Sequence, residues 1–224
     1  MKKRFLLFCC VVFSPIVSAQ KSPVKFGDIS MADMTMKSYE HDTSAVAVVL
    51  VDYGEAVIEE RVNTPALKIK KHVRIKIFKN EGLSYADVII SLYNNGSSHE
   101  RVTGLKAATY NLENGKITAS PLEKTSIFKE NVDKNFDNQK LSMPNVKLGS
   151  IIEYSYVLDS EFWTSLPSWR FQREKIPTRR SEFWAITPAI LFFEKYMTGY
   201  LTPTYEKKNL QSGSESNNAD HWLL

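Results

Sequence analysis

The sequence has 224 residues, with 29 Lys and Arg against 25 Asp and Glu, and its formal net charge at pH 7 is +4. Lys2, Lys3 and Arg4 supply most of that excess, so the rest of the chain is nearly neutral and offers no bulk electrostatic case for nucleic-acid binding. Both cysteines, Cys9 and Cys10, lie in the first apolar segment, which argues against a disulfide scaffold or a cysteine nucleophile in the remainder.

The first 19 residues have the three-part form of a secretory signal peptide. A basic start is followed by the apolar run Phe5–Val17 and then by the small residues that a signal peptidase requires. We expect cleavage between Ala19 and Gln20, and therefore an exported mature protein, in the periplasm or outside the cell. A lipoprotein signal is the alternative, but bulky Phe8 precedes the Cys pair where that signal needs a small residue. No apolar run approaches the roughly 20 residues of a bilayer span, so no integral span is expected after cleavage.

The first part of the mature chain contains a helix signal and a hairpin signal. Residues 20–25 are polar and predict a loose leader. Ser30 followed by Asp33 has the pattern of a helix N-cap with an acid in the first turn, which predicts one short helical turn. Ala45–Val51 and Ala56–Arg61, with a short turn sequence between them, predict a β-hairpin.

The clearest alternation in the chain is Leu67–Phe78, where apolar side chains fall on one face and basic ones on the other. Val88–Tyr93 predicts the next strand. Two further extended runs, Leu105–Leu112 and Lys116–Ala119, flank the pair Asn114-Gly115, which is the strongest short-range hairpin signal available.

Leu122–Asp137 has two interpretations, which stay open. Phe128, Val132 and Phe136 recur at four-residue spacing and favour a helical turn, whereas the Asn and Asp residues between them favour a loop.

The second half of the chain is again rich in extended segments. Residues 151–159 alternate, with Ile152, Tyr154, Tyr156 and Leu158 on one face. Further strands are predicted at Trp169–Arg173, Ser181–Thr187 and Leu191–Met197. The polar residues 207–224 predict a linker or tail. We therefore predict an all-β fold: an antiparallel β-sandwich of about ten short strands with one or two short helical turns, in one domain at 26–206.

The best functional lead is a basic stripe along the strand at 67–78. Its members are Lys68, Lys70, His72, Arg74 and Lys76. The stripe predicts either a surface for an extended anionic ligand or a solvated or salt-bridged face on which Lys and Arg prevent wrong edge pairing; we favour the solvated or salt-bridged face. Acidic neighbours such as Glu153 would neutralise part of the stripe. No aromatic side chains interleave with it, which argues against nucleic acid.

Aromatic residues concentrate near the centre of the chain, and two of them are candidate ligand platforms. Trp163 and Trp169 could stack on a sugar ring or anchor a peptide, but the core of a sandwich also needs large aromatic residues. We favour the core interpretation for the set as a whole. Trp163 lies in a loop beside Pro167 and is the member expected to be exposed.

No sequence motif supports a metal site, a cofactor or a catalytic centre. The four histidines lie in different predicted elements, without the paired spacing of a metal motif. Neither a G-x-S-x-G elbow nor a phosphate-binding glycine loop is present. We therefore expect no cofactor and no enzymatic activity from these residues.

Several segments resemble, in order, a known family of exported proteins of Gram-negative bacteria, the domain of unknown function 3857. The resemblance covers about Lys25 to Gly199, and the segments are KFGDISMADMTMKSYEHDTSA, HVRIKIFKNEG, VTGLKAATYNLENGKI and MPNVKLGSIIEYSY, followed by WRFQ and IP. It implies an all-β sandwich that precedes a transglutaminase-like domain of papain type and has no assigned activity of its own.

In that family architecture the catalytic Cys, His and Asp belong to the domain that follows, so no residue here is assigned to such a triad. We expect a non-catalytic module for binding or scaffolding, with a transglutaminase-like domain, an envelope protein or a glycan as the partner. The alternative is the N-terminal fragment of a transglutaminase-like or thiol peptidase protein whose catalytic domain is missing from this chain. The apolar ending His221–Leu224 is consistent with a fragment.

Overall fold

The computed structural model describes residues 22, 24–188, 190–191, 193–194, 196–199, 202–210 and 217–223, and β-strands dominate them. The expected signal peptide, with its cleavage site at Ala19 and Gln20, lies outside the described residues. Within the described part of the chain, no helix is both long enough and apolar enough to cross a bilayer.

The described residues form one α-helix, two 3₁₀ turns and eleven strands. Ser30 caps the helix as predicted, because its hydroxyl oxygen accepts a hydrogen bond of 3.0 Å from the backbone N–H of Asp33. The 3₁₀ turns are Asn80–Ala86 and Lys124–Ser126. The helix is α1 (Met31–Thr35), and the strands are β1 (Ala47–Glu59), β2 (Ala66–Ile77), β3 (Asp87–Tyr93), β4 (Arg101–Glu113), β5 (Lys116–Pro121), β6 (Ile127–Asn131), β7 (Phe136–Ser142), β8 (Ile151–Ser160), β9 (Ser181–Pro188), β10 (Tyr205–Leu210) and β11 (Asn217–Leu223).

The strands form two sheets, which confirms the predicted fold class. Eight strands pair in the order β10-β11-β9-β1-β2-β8-β4-β5, and three pair in the order β3-β7-β6. All named strand pairs are antiparallel except β1 and β9, which run parallel with Asp52 opposite Ser181. This parallel pair was not expected. It arises because residues 161–180 carry the chain across the sheet before β9 begins, and parallel strands need such a crossover.

The main core lies between the two sheets. Alternate side chains of the large sheet point toward the small one, and Val49, Ile75 and Ile152 are at most 1% exposed. They meet Ile90 and Leu141 of the small sheet. Burial of apolar surface on this scale is the main stabilising contribution to such a fold.

The opposite face of the large sheet is also covered, by residues 22 and 24–36, which we call the N-terminal strap. Phe26 and Met34 of the strap pack against Leu50, Tyr53 and Ile151. Strand β1 is therefore buried on both faces along most of its length. Its long apolar run agrees with a strand covered on both sides.

A third apolar cluster forms where residues 161–176 fold over one end of the large sheet. Trp169 and Phe171 of this segment pack against Ala56, Leu67 and Phe183. The segment that carries the two candidate tryptophans is therefore part of the cover of the sheet.

Several predicted elements differ from the structure. The hairpin predicted from Ala45–Val51 and Ala56–Arg61 is wrong, because β1 continues through residues 52–54, where burial on both faces keeps the chain extended. Trp169–Arg173 is not a strand, and the described residues of Leu191–Met197 lie in none. Part of the expected tail at 207–224 instead pairs as the hairpin of β10 and β11 and extends the large sheet.

Other local predictions are confirmed. The hairpin of β4 and β5 turns at Asn114 and Gly115, whose φ angles of 50° and 75° match the left-handed turn that this pair favours. Leu122–Asp137, left open between helix and loop, forms a 3₁₀ turn, strand β6 and the turn into β7. Phe128 lies on β6 and Phe136 on β7, so their spacing comes from a strand hairpin and not from a helical turn.

Candidate functional site

The structure divides the basic stripe into a half-buried part and a fully buried part. At the half-buried end, Lys68 pairs with Glu59 at 2.9 Å, and the Lys70 ammonium lies 5.9 Å from the centre of a tyrosine ring. The strap covers the other end, where the exposed fractions are 2%, 3% and 0% for His72, Arg74 and Lys76. The stripe therefore does not form one continuous surface for an extended ligand.

Glu153 on β8 neutralises the middle of the stripe, as the sequence suggested. Its Oε1 accepts hydrogen bonds from Arg74 Nη2 at 2.6 Å, Arg74 Nε at 3.1 Å and His72 Nε2 at 2.8 Å. Its Oε2 accepts from the backbone N–H of Gly27 in the strap at 2.8 Å. Burial opposes the charge, but the hydrogen bond from His72 and the positive charge of Arg74 hold the pKa of this carboxyl below its usual value.

His72 also contacts Ser22, so that Ser22, His72 and Glu153 form a line of hydrogen bonds. The Ser22 hydroxyl lies 2.8 Å from His72 Nδ1. Because a carboxylate only accepts, Nε2 of His72 donates to Glu153, and Nδ1 is the ring atom that contacts the serine. The order resembles a serine–histidine–carboxylate relay, but the imidazole is buried beneath Phe26, whose ring centre is 5.9 Å away, and Arg74 already neutralises Glu153. We interpret this line as an anchor for the strap.

Lys76 anchors the strap at a second point. Its ammonium donates to the backbone carbonyls of Met34 at 2.5 Å and Gly149 at 2.6 Å. Burial, reinforced by the nearby charge of Lys37 and opposed by that of Asp33, lowers the pKa of Lys76 to about 8. The far end of the stripe therefore holds backbone oxygens and is not open to solvent.

The two candidate platform tryptophans are both partly buried. Trp169 stacks on Phe183, with ring centres 4.9 Å apart, and its Nε1 donates to the Ser181 hydroxyl at 3.0 Å. Trp163 packs into the same cluster, although it was expected to be exposed. Their positions agree with the core interpretation.

A buried ionic group joins the segment 161–176 to the sheet beside Trp169. Asp52 lies 2.6 Å from Lys71 Nζ and 3.6 Å from Arg173 Nη2. Lys71 Nζ also lies 3.6 Å from the centre of the Trp169 ring, within the range of a cation–π contact. Burial lowers the pKa of Lys71, although Asp52 acts in the opposite direction. These contacts fasten the crossover to the sheet.

A solvent-open cleft beneath the end of the three-stranded sheet is a site that the sequence did not reveal. Its volume is about 740 Å³. Three separate stretches line it: the end of β3 with residues 94–101, the edge strand β6 with its turn, and the start of β7. We call this space the end cleft. No motif marks it, because its residues are distant in sequence and meet only through the strand pairing.

The carboxylates that line the end cleft already have partners. Glu130 pairs with Lys140 at 2.8 Å, and Glu100 accepts the backbone N–H of Tyr93 at 2.9 Å. Asp137 accepts the side-chain amide of Asn131 at 2.9 Å.

The cations of the end cleft are less fully paired. Arg101 lies 3.6 Å from Glu161 and 2.9 Å from a ring nitrogen of His99. Lys129 and Lys134 are exposed and have no ion pair among the residues described. The end cleft therefore presents two positive charges that a ligand could neutralise.

Across the described ranges, no group of three or more histidine, cysteine or carboxylate side chains is placed to hold a metal ion.

Comparisons with known proteins give one family and several distant folds. A family model described as Domain of Unknown Function with solved-structure structure, DUF3857, matches residues 66–216. A candidate protease from Parabacteroides distasonis ATCC 8503 matches with a TM-score of 0.55 and 14% identity, over 80% of this chain and 35% of that one. A mutant M1 zinc metallopeptidase from Deinococcus radiodurans matches with a TM-score of 0.36 and 10% identity, over 81% of this chain and 39% of that one. No curated protein matches.

The first of these structures shares the fold with this chain, at an identity too low to carry an activity across. The chain spans about a third of the length of that structure. The similarity to the metallopeptidase is too weak to support any conclusion.

Proposed function

This chain belongs to the DUF3857 family, and from that membership we propose that it is a non-catalytic, exported module that binds or scaffolds a partner in the periplasm or cell envelope. The proposal is supported by the end cleft, which is open to solvent and is lined by Lys129 and Lys134, two cations with no ion pair among the residues that the structure describes. By contrast, the buried histidine, carboxylate and cation of the Glu153 cluster are fully used in holding the strap.

The mechanism would be recognition by contact on a rigid framework. The two sheets and the strap fix the strands, while the loop at 94–101 and the turn after β6 present polar groups at one end. Binding residues are commonly placed on loops that a rigid scaffold positions. The family resemblance suggests a transglutaminase-like domain as the partner, and an envelope protein and a glycan are the alternatives for a binding module.

Site-specific photocrosslinking tests this proposal. A photoreactive benzoylphenylalanine replaces His99, an exposed residue that lines the end cleft, or, as the control, Lys116 on the large sheet, and the chain is irradiated in envelope extract. We expect adducts at position 99 that exceed those at position 116. Equal labelling at the two positions, or none at either, would contradict a binding function for the cleft.

The alternative function is part of an enzyme, in which this chain would be the N-terminal portion of a transglutaminase-like or thiol peptidase protein. The fold shared with a candidate protease about three times as long supports considering it. The reading frame downstream of Leu224 provides the test: a cysteine followed by a histidine and an aspartate in that frame favours the alternative. Amide or ester turnover by the purified chain alone would overturn the non-catalytic proposal.

A further inference from the structure

We propose that the free edge of β6 binds an extended peptide as an added strand, with acidic side chains of the peptide directed into the end cleft toward Lys129 and Lys134. This inference rests on the proposed binding function and names the class of partner. The partner is an extended segment in which acidic and apolar residues alternate.

The first argument is the backbone of β6. This strand lies at the end of the order β3-β7-β6, so one side of it has no neighbouring strand in the described part of the chain. The N–H of Val132, just after β6, donates to the carbonyl of Phe136 at 2.9 Å. Because the bonding direction alternates along an antiparallel strand, residues 128 and 130 also face β7, while 127, 129 and 131 face outward. Their N–H and C=O groups can pair with an added strand.

The second argument is the position of the cleft relative to that edge. Lys129 and Asn131 lie on the inner face of β6 and line the end cleft, whereas Phe128 lies on the outer face and is 54% exposed. Glu130 is on the same outer face and also reaches the cleft, and Val132, in the adjoining turn, is 53% exposed. Side chains of an added strand would alternate in the same way between the two faces. The inner positions would meet the cleft, and the outer positions would meet Phe128 and Val132 on either side of the ion pair of Glu130 and Lys140.

The third argument is charge. Glu130 is matched by Lys140, but the ammonium groups of Lys129 and Lys134 have no ion pair within the described ranges. Acidic side chains at the inner positions of the added strand would neutralise them. Charges at the rim of an interface mainly direct association and fix register, which an edge strand needs because its backbone alone does not define the register.

The test is binding of an end-capped, fluorescein-labelled heptapeptide, Val-Glu-Val-Glu-Val-Glu-Val, to the full chain, measured by fluorescence anisotropy. Two control peptides are used: one with the same residues in two blocks, and one with N-methyl groups on alternate residues, which removes donors to the β6 edge. We expect the alternating peptide to bind and both control peptides to bind at least about tenfold more weakly. Equal binding by the N-methylated peptide, or no binding by the alternating one, would overturn strand addition at β6.

A matched pair of variants tests the cleft lysines. Lys129→Glu with Lys134→Glu is expected to weaken binding of the alternating peptide by about tenfold or more at low salt. The control, Lys106→Glu with Lys116→Glu, makes the same change of charge on exposed positions of β4 and β5 and is expected to alter binding by less than about twofold. Equal effects of the two double variants would overturn the assignment to the cleft.

The crosslinking and peptide-binding experiments together distinguish a failure of the strand-addition inference from a failure of the proposed binding function. If crosslinked adducts form at position 99 but the alternating peptide does not bind, the module has a partner and the strand-addition inference is wrong. If adducts and peptide binding are both missing, the proposed function fails as well.

Discussion

The indole ring of Trp169 lies directly against the backbone of Gly54, so closely that a Cβ at residue 54 would lie 2.2 Å from its Cζ3. Gly54 is paired with Lys71 on β2 and with Phe183 on β9, so the backbone has strands on both sides. Ser181 holds the indole through its Nε1. A glycine here is therefore a requirement of packing.

We predict that Gly54→Ala lowers the free energy of unfolding by about 2 kcal/mol, because neither the ring nor the strand can move away without disturbing its neighbours. Urea unfolding of the wild type and the variant measures this. Trp169→Ala is expected to cost about 3 kcal/mol by itself. In that background Gly54→Ala should cost little, and an unchanged cost would contradict the assigned contact.

A second prediction concerns Glu153. Glu153→Gln is expected to lower the free energy of unfolding by about 3 kcal/mol at pH 7, because Arg74 would keep a buried charge without its partner. Urea unfolding measures this loss. Glu60→Gln, a change at an exposed position, serves as the control and is expected to have almost no effect.

The ion pair of Glu153 and Arg74 also predicts how the free energy of unfolding depends on pH. The pKa of Glu153 in the folded state is below that of an unfolded glutamate, about 4.3, so the unfolded chain takes up the proton first as the pH falls. The stability that Glu153 contributes is thus present above about pH 4.3 and is lost below it. The difference between wild type and Glu153→Gln should narrow as unfolding is measured at decreasing pH. A difference that stays constant would contradict the lowered pKa.

Lys76 predicts a change of stability with pH in the alkaline range. Its folded-state pKa is about 8, whereas an unfolded lysine keeps its proton to about pH 10.4. Between these values the unfolded chain binds more protons, so stability rises with pH. The free energy of unfolding of wild type relative to Lys76→Met should therefore increase from pH 8 to pH 10. Lys106→Met, at an exposed position, is the control and should show no such trend.

The half-buried end of the stripe gives a further prediction about anionic ligands. Lys68 is already paired with Glu59, so we expect Lys68→Glu and Lys70→Glu to change retention on an anionic polymer column only slightly at low salt. Lys76→Glu should instead lower the melting temperature, because it places a carboxylate beside the buried carbonyl of Met34. A large loss of retention in the first two variants would restore the stripe as a ligand surface.

Local patterns predicted the strands that have one apolar face. The alternation at 67–78, the capping serine at residue 30 and the pair Asn114-Gly115 all describe short-range geometry that a few neighbouring residues determine. The same reasoning failed at residues 52–54, where a turn sequence stays extended because two covers bury the strand. That burial depends on the strap and on the segment 161–176, which are remote in sequence.

The candidate sites were predicted less well for the same reason. The alternation correctly placed the stripe on one face of a strand, and Glu153 was correctly predicted as a neutralising neighbour. The alternation of a strand does not show which remote segment will cover it, so the burial of His72 and Arg74 by the strap could not be predicted. The end cleft is likewise invisible in the sequence, because the β6–β7 hairpin and the loop at 94–101 meet only in the folded chain.

The parallel pairing of β1 and β9 has a consequence for the time course of folding. β1 turns directly into its neighbour β2, but its other neighbour begins only at Ser181, so that contact joins segments from opposite ends of the described chain. Pairings of high contact order form slowly. A nascent chain would carry β1 with one open side until residues 181–188 had been synthesised. That open side is where we expect incomplete chains to aggregate, and closure of the β1–β9 pair is expected to be the slow step of refolding.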